Sequence, residues 1–557
     1  MVTRALKLVY SEIRGLHQAA YILALFAFGS QILALVRDRL FAHTFGAGSE
    51  LDLYYAAFRI PDILYVLFVS VLSVYVLLPF VAKARLESDD AGKRVLGQMF
   101  TLFLFGYIAI AGVVFILAPY LVPIFFPGLV DNAETLVLLL RILLLQPLLL
   151  GISTLFGVVT QLSHRFVLYA ISPLIYNLGI IAGVIIFYPH FGLAGLVMGV
   201  VLGALGHMLV QWPLVIKSEL SFGLVKKFDF PLLKSVFLVA LPRALTLSLH
   251  QLVLLVLVGA ATLMAAGSVA IFQFALNLQS VPLAIIGMSY SVAAFPVLAD
   301  LFAKKEQEAF NSHVLTAFRH IIFWSLPIIA LVVVLRAQIV RVVLGSGAFD
   351  WADTRLTAAV LAIFIITLAA QSILLLLVRA FYAGGKTIMP LIVALIGSGT
   401  TLLTAWLSFH VIKMYPDLMS GLETLLRVDD LPGTKILLLA LAFAVGVLLE
   451  MIILIVLAMQ EFSFTFKGIF GQLFQSSLAA AVGGIAAYGT LIFIVDGVNQ
   501  ETFVGILIQG AIAGVVGLSC TLLTYYLCGS EELSEIYRSL HSRIFKKKLV
   551  GMSQDVL

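Results

Sequence analysis

Six charged side chains interrupt two otherwise apolar runs near the start of this 557-residue chain. Arg37, Asp38 and Arg39 close the first run, the glycine turn Gly46-Ala47-Gly48 follows, and Asp52, Arg59 and Asp62 lie in the second, with Pro61 between the last two. Arg141 and Arg243 punctuate later apolar runs. A guanidinium stays charged however deeply it is buried, and its planar fork matches the oxygens of a phosphate. Several arginines converging on one cavity therefore suit an anionic group. Arg37–Asp38 and Arg59–Asp62, at helical spacing, equally satisfy a structural reading as ion pairs. Nothing points to covalent catalysis: the chain contains no paired-carboxylate motif, HExxH, nucleophile elbow, P-loop or Cys/His cluster. Cys520 and Cys528 offer neither metal spacing nor a disulfide framework. The expectation is a non-enzyme that binds an anion without a metal or an organic cofactor. His250 lies in the middle of an apolar run, as a hydrogen bonder between helices or a proton relay. Glu450 is the one acid well inside a run of the second half, and is the candidate for coupling to Na⁺ or H⁺.

The elements that must position these residues are set by composition. Hydrophobic residues make up 62% of the chain and charged residues 11%, and the mean hydropathy is +1.12. A soluble chain cannot bury so much apolar surface, whereas a polytopic membrane protein need not. Apolar runs of membrane-spanning length predict fourteen transmembrane helices at 16–41, 52–82, 95–120, 135–160, 166–188, 191–216, 234–262, 266–300, 314–335, 356–383, 387–412, 434–459, 470–495 and 502–527. The first run is too long for a signal-peptide core and reads as a retained helix. With the N-terminus in the cytoplasm, most of the 34 Lys and Arg fall on the cytoplasmic side, among them Arg4, Lys7, Arg14, Lys226, Lys227, Lys467 and Lys546–Lys548. This is the positive-inside pattern, and it puts both termini in the cytoplasm.

The two halves of the chain repeat. Pro79 recurs as Pro296, Ala133-Glu134-Thr135 as Ala352-Asp353-Thr354, and Pro173 as Pro390, at nearly constant spacing. The implied organisation is a cytoplasmic segment (1–15), two parallel six-helix bundles (16–216 and 234–459), two extra helices (470–527) and a basic cytoplasmic tail (528–557) that reads as a lipid-surface anchor. The charges concentrate in the first bundle; the second supplies the facing wall. Lys413–Thr434 reads as a solvated loop with a short surface helix.

The run LVRDRLFAHTFGAGSELDLYYAAFRIPDIL resembles the MviN/MurJ family of lipid II flippases, within the multidrug/oligosaccharidyl-lipid/polysaccharide exporter superfamily. HRFVLYAISPLIYNLGIIAG, with Tyr176-Asn177, and LVRAFYAGGKTIMPLIVA, with Arg379 and Lys386, agree with it. The resemblance covers about residues 15–527. It implies a flippase for the undecaprenyl-diphosphate-linked peptidoglycan precursor in the bacterial inner membrane, working by alternating access alongside the cell-wall machinery. It casts Arg37, Asp38, Asp52 and Arg59 as head-group residues, with Asp62 beside them. Three family arginine positions fall at Gln31, Tyr65 and Asn277; Gln31 and Asn277 retain hydrogen-bond donors, and Arg39, Arg141 and Arg243 are the available replacements. The resemblance also allows an exporter of another polyprenyl-linked glycan, a drug/ion antiporter or a non-transporting cell-wall scaffold.

Overall fold

The computed structural model describes residues 16–464, 469–494 and 502–545. Among them every element is helical and no strand occurs. Hydrocarbon offers no hydrogen bonds, so a chain of this composition must satisfy its backbone internally, and helices do so within each segment. The basic residues of 1–15, Lys467, the acidic loop at 496–501 and Lys546–Lys548 lie outside the described residues.

In chain order the α-helices are α1 (Leu16–Phe45), α2 (Ser49–Leu72), α3 (Val74–Glu87), α4 (Asp89–Phe125), α5 (Ala133–Leu143), α6 (Leu145–Leu162), α7 (Phe166–Ala182), α8 (Tyr188–Leu209), α9 (Trp212–Lys217), α10 (Phe230–Thr262) and α11 (Ser268–Leu283). They continue as α12 (Ser289–Ala303), α13 (Gln307–Val343), α14 (Trp351–Ile366), α15 (Leu368–Ala383), α16 (Ile388–Met414), α17 (Pro416–Leu426), α18 (Ile436–Phe462), α19 (Ile469–Ile494), α20 (Phe503–Leu527) and α21 (Glu531–Phe545). Among the described residues, eleven helical stretches are long and apolar enough to cross a membrane, or twelve if the bent pair α14 and α15 is one span.

The chain divides into two compact units. The first comprises residues 1–274, 343–357 and 387–442, and the second residues 275–342, 358–386 and 443–557. In the first unit, the stretch Phe166–Lys217 runs for 52 residues. At 1.5 Å per residue that is roughly 78 Å, more than twice the hydrocarbon thickness. It is broken at Gly192, whose φ of 58° a side chain would strain. α7 and α8 then pack along each other, Gly179 and Gly183 facing Gly203 and Gly199. The backbones approach so closely that no Cβ fits, the small-residue contact that membrane helices use in place of hydrophobic burial. α2, expected as part of one helix over 52–82, ends at Leu72: Ser73, with ψ 143°, leaves helical geometry before α3 begins.

In the second unit, α14 and α15 meet at Thr367 with a 42° bend. Buried Gln279 on α11 meets that break, its Nε2 donating to Phe364 O and Thr367 Oγ1, each at 3.0 Å. A carbonyl freed by a kink in lipid needs such a donor. Tyr525 on α20 stacks on Phe323 of α13 at 4.2 Å. The tail was expected as a lipid-surface anchor, but its described part docks on protein. Leu533 and Ile536 of α21 pack against Phe323, Ala479 and Tyr525, while Arg319 reaches Glu531 at 2.6 Å and buried Glu532 at 2.7 Å. The acidic first turn of α21 drives this docking, a signal that the run of lysines after it obscures in the sequence.

The glycine contact is directly testable. Gly199→Ala would place a methyl group on the Gly183 backbone, and overpacking of this kind costs about 1–3 kcal/mol. The expected outcome is a lower melting temperature in detergent, followed by size-exclusion chromatography. Gly112→Ala, with open space around its Cβ, should melt like the parent.

Candidate functional site

Local backbone chemistry sets the geometry of the first charged stretch. α1 ends at Phe45, and Gly46 turns the chain with φ 60°. A Cβ there would run into Ala348 O at 2.6 Å, so the tight turn requires glycine. The turn is held from outside as well: Ala47 N–H donates to Asp353 Oδ2 at 3.2 Å, and Ala348 N–H to His43 O at 2.9 Å. With the turn fixed, α1 and α2 present their charges in constant register.

Arg37 is the centre of one group. Its Nε and Nη2 donate to Asp38 Oδ1 at 3.0 and 2.8 Å, and its Nη1 to Asn177 Oδ1 of α7 at 3.3 Å. Asn177 in turn donates to Ser30 Oγ and Pro173 O. The Arg37 side chain keeps 20% of its surface exposed while that of Asp38 keeps 3%. Asp38 and Asn177 therefore hold the guanidinium in one orientation and leave part of it accessible.

Arg59 forms the second group, on α2. The residue is only 6% exposed. Its Nη2 donates to Gln273 Oε1 of α11 at 2.6 Å, and its Nε has no hydrogen-bond partner. Asp62, half-buried one turn further on, lies within its electrostatic reach, as does His250 of α10. Tyr54 and Tyr55 lie near Arg37, and Tyr176 of α7 near both Arg37 and Asp62. The hydroxyl of Tyr55 is also unpartnered; Gln146 donates to Tyr176 Oη at 3.2 Å but its own Oε1 has no partner. Native structures rarely bury polar atoms unpaired, and a cluster of them marks a place where water or a ligand completes the bonding.

The remaining expected residues are placed elsewhere. Asp52, 3% exposed, accepts from Gly267 N–H at 2.7 Å and Ala270 N–H at 2.8 Å. It caps the N-terminus of α11, so its oxygens are committed to backbone. Arg39 donates to Val343 O, at the end of α13, at 3.4 Å. Arg141 donates to Phe115 O at 3.0 Å and lies over the Phe115 ring at 4.5 Å, which ties it to α4. Gln31 is half-buried on α1, and Arg243 half-buried on α10. Asn277 and Glu450 are half-buried members of the second unit. The expected residues brought together are thus Arg37, Asp38, Arg59 and Asp62. Those that sequence reasoning left out of the site are Tyr54, Tyr55, Gln146, Tyr176, Asn177 and Gln273. For Tyr55 the available signal was its position one turn before Arg59.

Among the described residues no group of three or more His, Cys, Asp or Glu is placed to hold a metal. What the arrangement does well is hold cations in a buried, polar, aromatic-rimmed setting. A family model described as "Lipid II flippase MurJ" matches residues 41–509. The chain belongs to this family. A probable lipid II flippase MurJ of Rhizobium tropici is 30% identical over 379 residues, covering 65% of this chain and 70% of the relative. Another from Rickettsia prowazekii is 24% identical over 384 residues, covering 68% and 76%. A solved structure of the lipid II flippase MurJ in an inward closed conformation superposes with a TM-score of 0.71 at 20% identity, covering 91% of this chain and 99% of that one. An inward-facing MATE multidrug transporter of the MOP superfamily superposes with 0.65 at 14% identity, covering 78% and 94%. At these identities the structural likeness concerns the fold. The lipid II flippases and the multidrug transporter share it, so the MurJ assignment rests on the sequence match.

Asp52 separates a structural from a ligand-binding role. As a cap it contributes about 1–2 kcal/mol. Asp52→Ala should lower the melting temperature in detergent clearly more than Asp52→Asn, which keeps one acceptor oxygen. An unchanged melting temperature in both variants would remove the capping role.

Proposed function

We propose that this chain is a flippase carrying the undecaprenyl-diphosphate-linked peptidoglycan precursor, lipid II, across the cytoplasmic membrane by alternating access, with Arg37 and Arg59 holding the diphosphate. The observation that carries the reading is the family match over residues 41–509. Arg59 supports the site: a guanidinium in a spanning helix, buried with one amide acceptor and an unpartnered Nε, is expensive unless an anion completes it. A diphosphate supplies the missing acceptors, and Arg37, oriented by Asp38 and Asn177, offers a second cation. Moving a head group past two helical bundles needs no bond made or broken, so binding and release are all the chemistry required.

The topology that goes with this reading has fourteen crossings. The break at Gly192 makes Phe166–Lys217 a pair of crossings, α14 with α15 makes one, and α1 adds the last. Both termini then lie in the cytoplasm. Single cysteines at Ser420 and Ser88 should be labelled by an impermeant reagent from outside and from inside respectively; labelling of both from one side overturns the topology.

Complementation of a strain depleted of its own lipid II flippase tests the activity. The parent chain should restore growth; failure of a folded, membrane-inserted parent overturns the reading. Arg37→Ala and Arg59→Ala should abolish rescue at normal protein levels, and Arg59→Lys should rescue only in part, because an ammonium does not fork. Loss of folded protein in both alanine variants supports structural ion pairs instead. Glu450, half-buried in α18 with no hydrogen-bond partner among the described residues, is the proposed coupling residue for Na⁺ or H⁺. Glu450→Gln should still bind substrate but lose its response to an imposed gradient; transport that responds like the parent excludes the role.

A further inference from the structure

Between two membrane-spanning helices, α17 offers three chemically distinct sides. At 100° per residue, Met419 and Leu426 share one side, buried or half-buried against protein. Leu418 and Leu425, seven residues apart, share the next and are 59% and 76% exposed. Asp417, Ser420 and Thr424 share the third, all exposed. A helix lying in water has no use for the middle side. A helix at a membrane surface, with protein beside it, lipid below and water above, needs all three.

The chain on either side fixes where α17 can be. α16 crosses to Met414, Tyr415 leaves helical geometry with φ −131° and ψ 76°, and α17 starts on the next residue. Ten residues after Leu426 the chain enters α18, another helix of spanning length and apolarity. The far end of α17 is clamped to the start of α14. Arg355 grips both oxygens of Asp430, at 2.7 and 2.5 Å, and the carbonyl of Arg427, the left-handed cap of α17, at 2.5 Å. This fork holds the Asp430 carboxyl below its ordinary range, so the clamp is ionic at neutral pH. α17 is therefore fixed between the ends of two helices of spanning length and apolarity.

The end of α16 carries exposed apolar side chains as well. Leu403, Trp406, Leu407 and Met414 are all exposed, as are Tyr415 between the two helices and Leu418 and Leu425 on α17. Trp and Tyr are the residues enriched at the headgroup level. We propose that α17 is an interfacial helix, with Leu418 and Leu425 seated at the headgroup–acyl boundary of the bilayer face where α16 ends, and Asp417, Ser420 and Thr424 in water. The segment is acidic, with Asp417, Glu423, Asp429 and Asp430 against Arg427 and Lys435. Apolar burial, not attraction to anionic lipid, drives the seating.

Nitroxide labels on single cysteines test it in the full chain, reconstituted in phosphatidylcholine–phosphatidylethanolamine nanodiscs with Cys520 and Cys528 changed to serine. Leu418→Cys and Leu425→Cys should show an oxygen-to-nickel-chelate accessibility ratio several-fold above that of Asp417→Cys and Thr424→Cys. Equal nickel access at all four sites would put the helix in water and overturn the proposal. Screening of Leu418→Cys and Leu425→Cys from both reagents would mean that protein covers them, which overturns it as well. All four sites are exposed, so the labelled proteins are expected to elute like the parent; comparison of the two pairs within one folded preparation keeps the result decisive.

Discussion

An ion in hydrocarbon is stable only when opposite charge or hydrogen bonds replace the water it has lost, and the first two helices of this chain carry seven charged side chains within 26 residues of sequence, from Arg37 to Asp62, of which only Glu50 is exposed. The way each ion is satisfied orders the surrounding structure. Asp38 is matched by the Arg37 fork, and Asp52 by two backbone N–H groups at the start of α11. The two carboxylates are thereby committed to partners within the protein, while the Arg37 side chain that holds Asp38 stays 20% exposed. Arg59 is matched only in part, by one amide oxygen and by the field of Asp62. That difference in completeness, more than the presence of charge, separates a brace from a binding group.

The Asp52 cap shows how a local rule acquires a long-range consequence. The first N–H groups of a helix lack intrahelical partners, and an anion at the N-terminus satisfies them and meets the positive end of the helix dipole. Here the anion comes from more than two hundred positions earlier in the chain. The capped end of α11 is thereby fixed to α2, close in sequence to Gln273, which reaches Arg59. The turn Gly46-Ala47-Gly48 is fastened in the same way by Asp353, a residue whose sequence role was only to mark the repeat.

Glycine does for the helices what charge does for the site. Lipid gives packed helices little hydrophobic reward, so contact depends on close approach and van der Waals complementarity. The faces of α7 and α8 meet backbone to backbone, and Gly483 on α19 meets Gly517 and Thr521 on α20 in the same way within the second unit. Polar side chains repair the places where helices break: Gln279 serves the bend at Thr367. Hydrogen bonds thus serve breaks, caps and charges, and also join helices directly, as Tyr525 Oη does to Phe323 O at 2.8 Å.

Amino-acid order by itself determined that the chain is helical and membrane-embedded, because hydropathy and helix length follow from the thickness and dryness of the bilayer and need no partner. It also determined the family, through the run around Arg37, Asp52 and Arg59, and it isolated the charged residues, since charge in an apolar run stands out whatever the fold. Which of those charges are paired with what was decided only by tertiary structure. Asp52 and Arg59 are both ions on the apolar helix α2, yet Asp52 is saturated by the start of α11 and Arg59 is left short of acceptors. Tyr176 and Asn177 join the site from α7 and Gln273 from α11; the first two stood out only as a family motif and Gln273 not at all, because a polar residue on a spanning helix gains its meaning from the helix opposite. Likewise the acidic first turn of α21 reads as a solvated tail until Arg319 is placed beside it. Periodicity reports which side of a helix is apolar; only packing reports what that side meets.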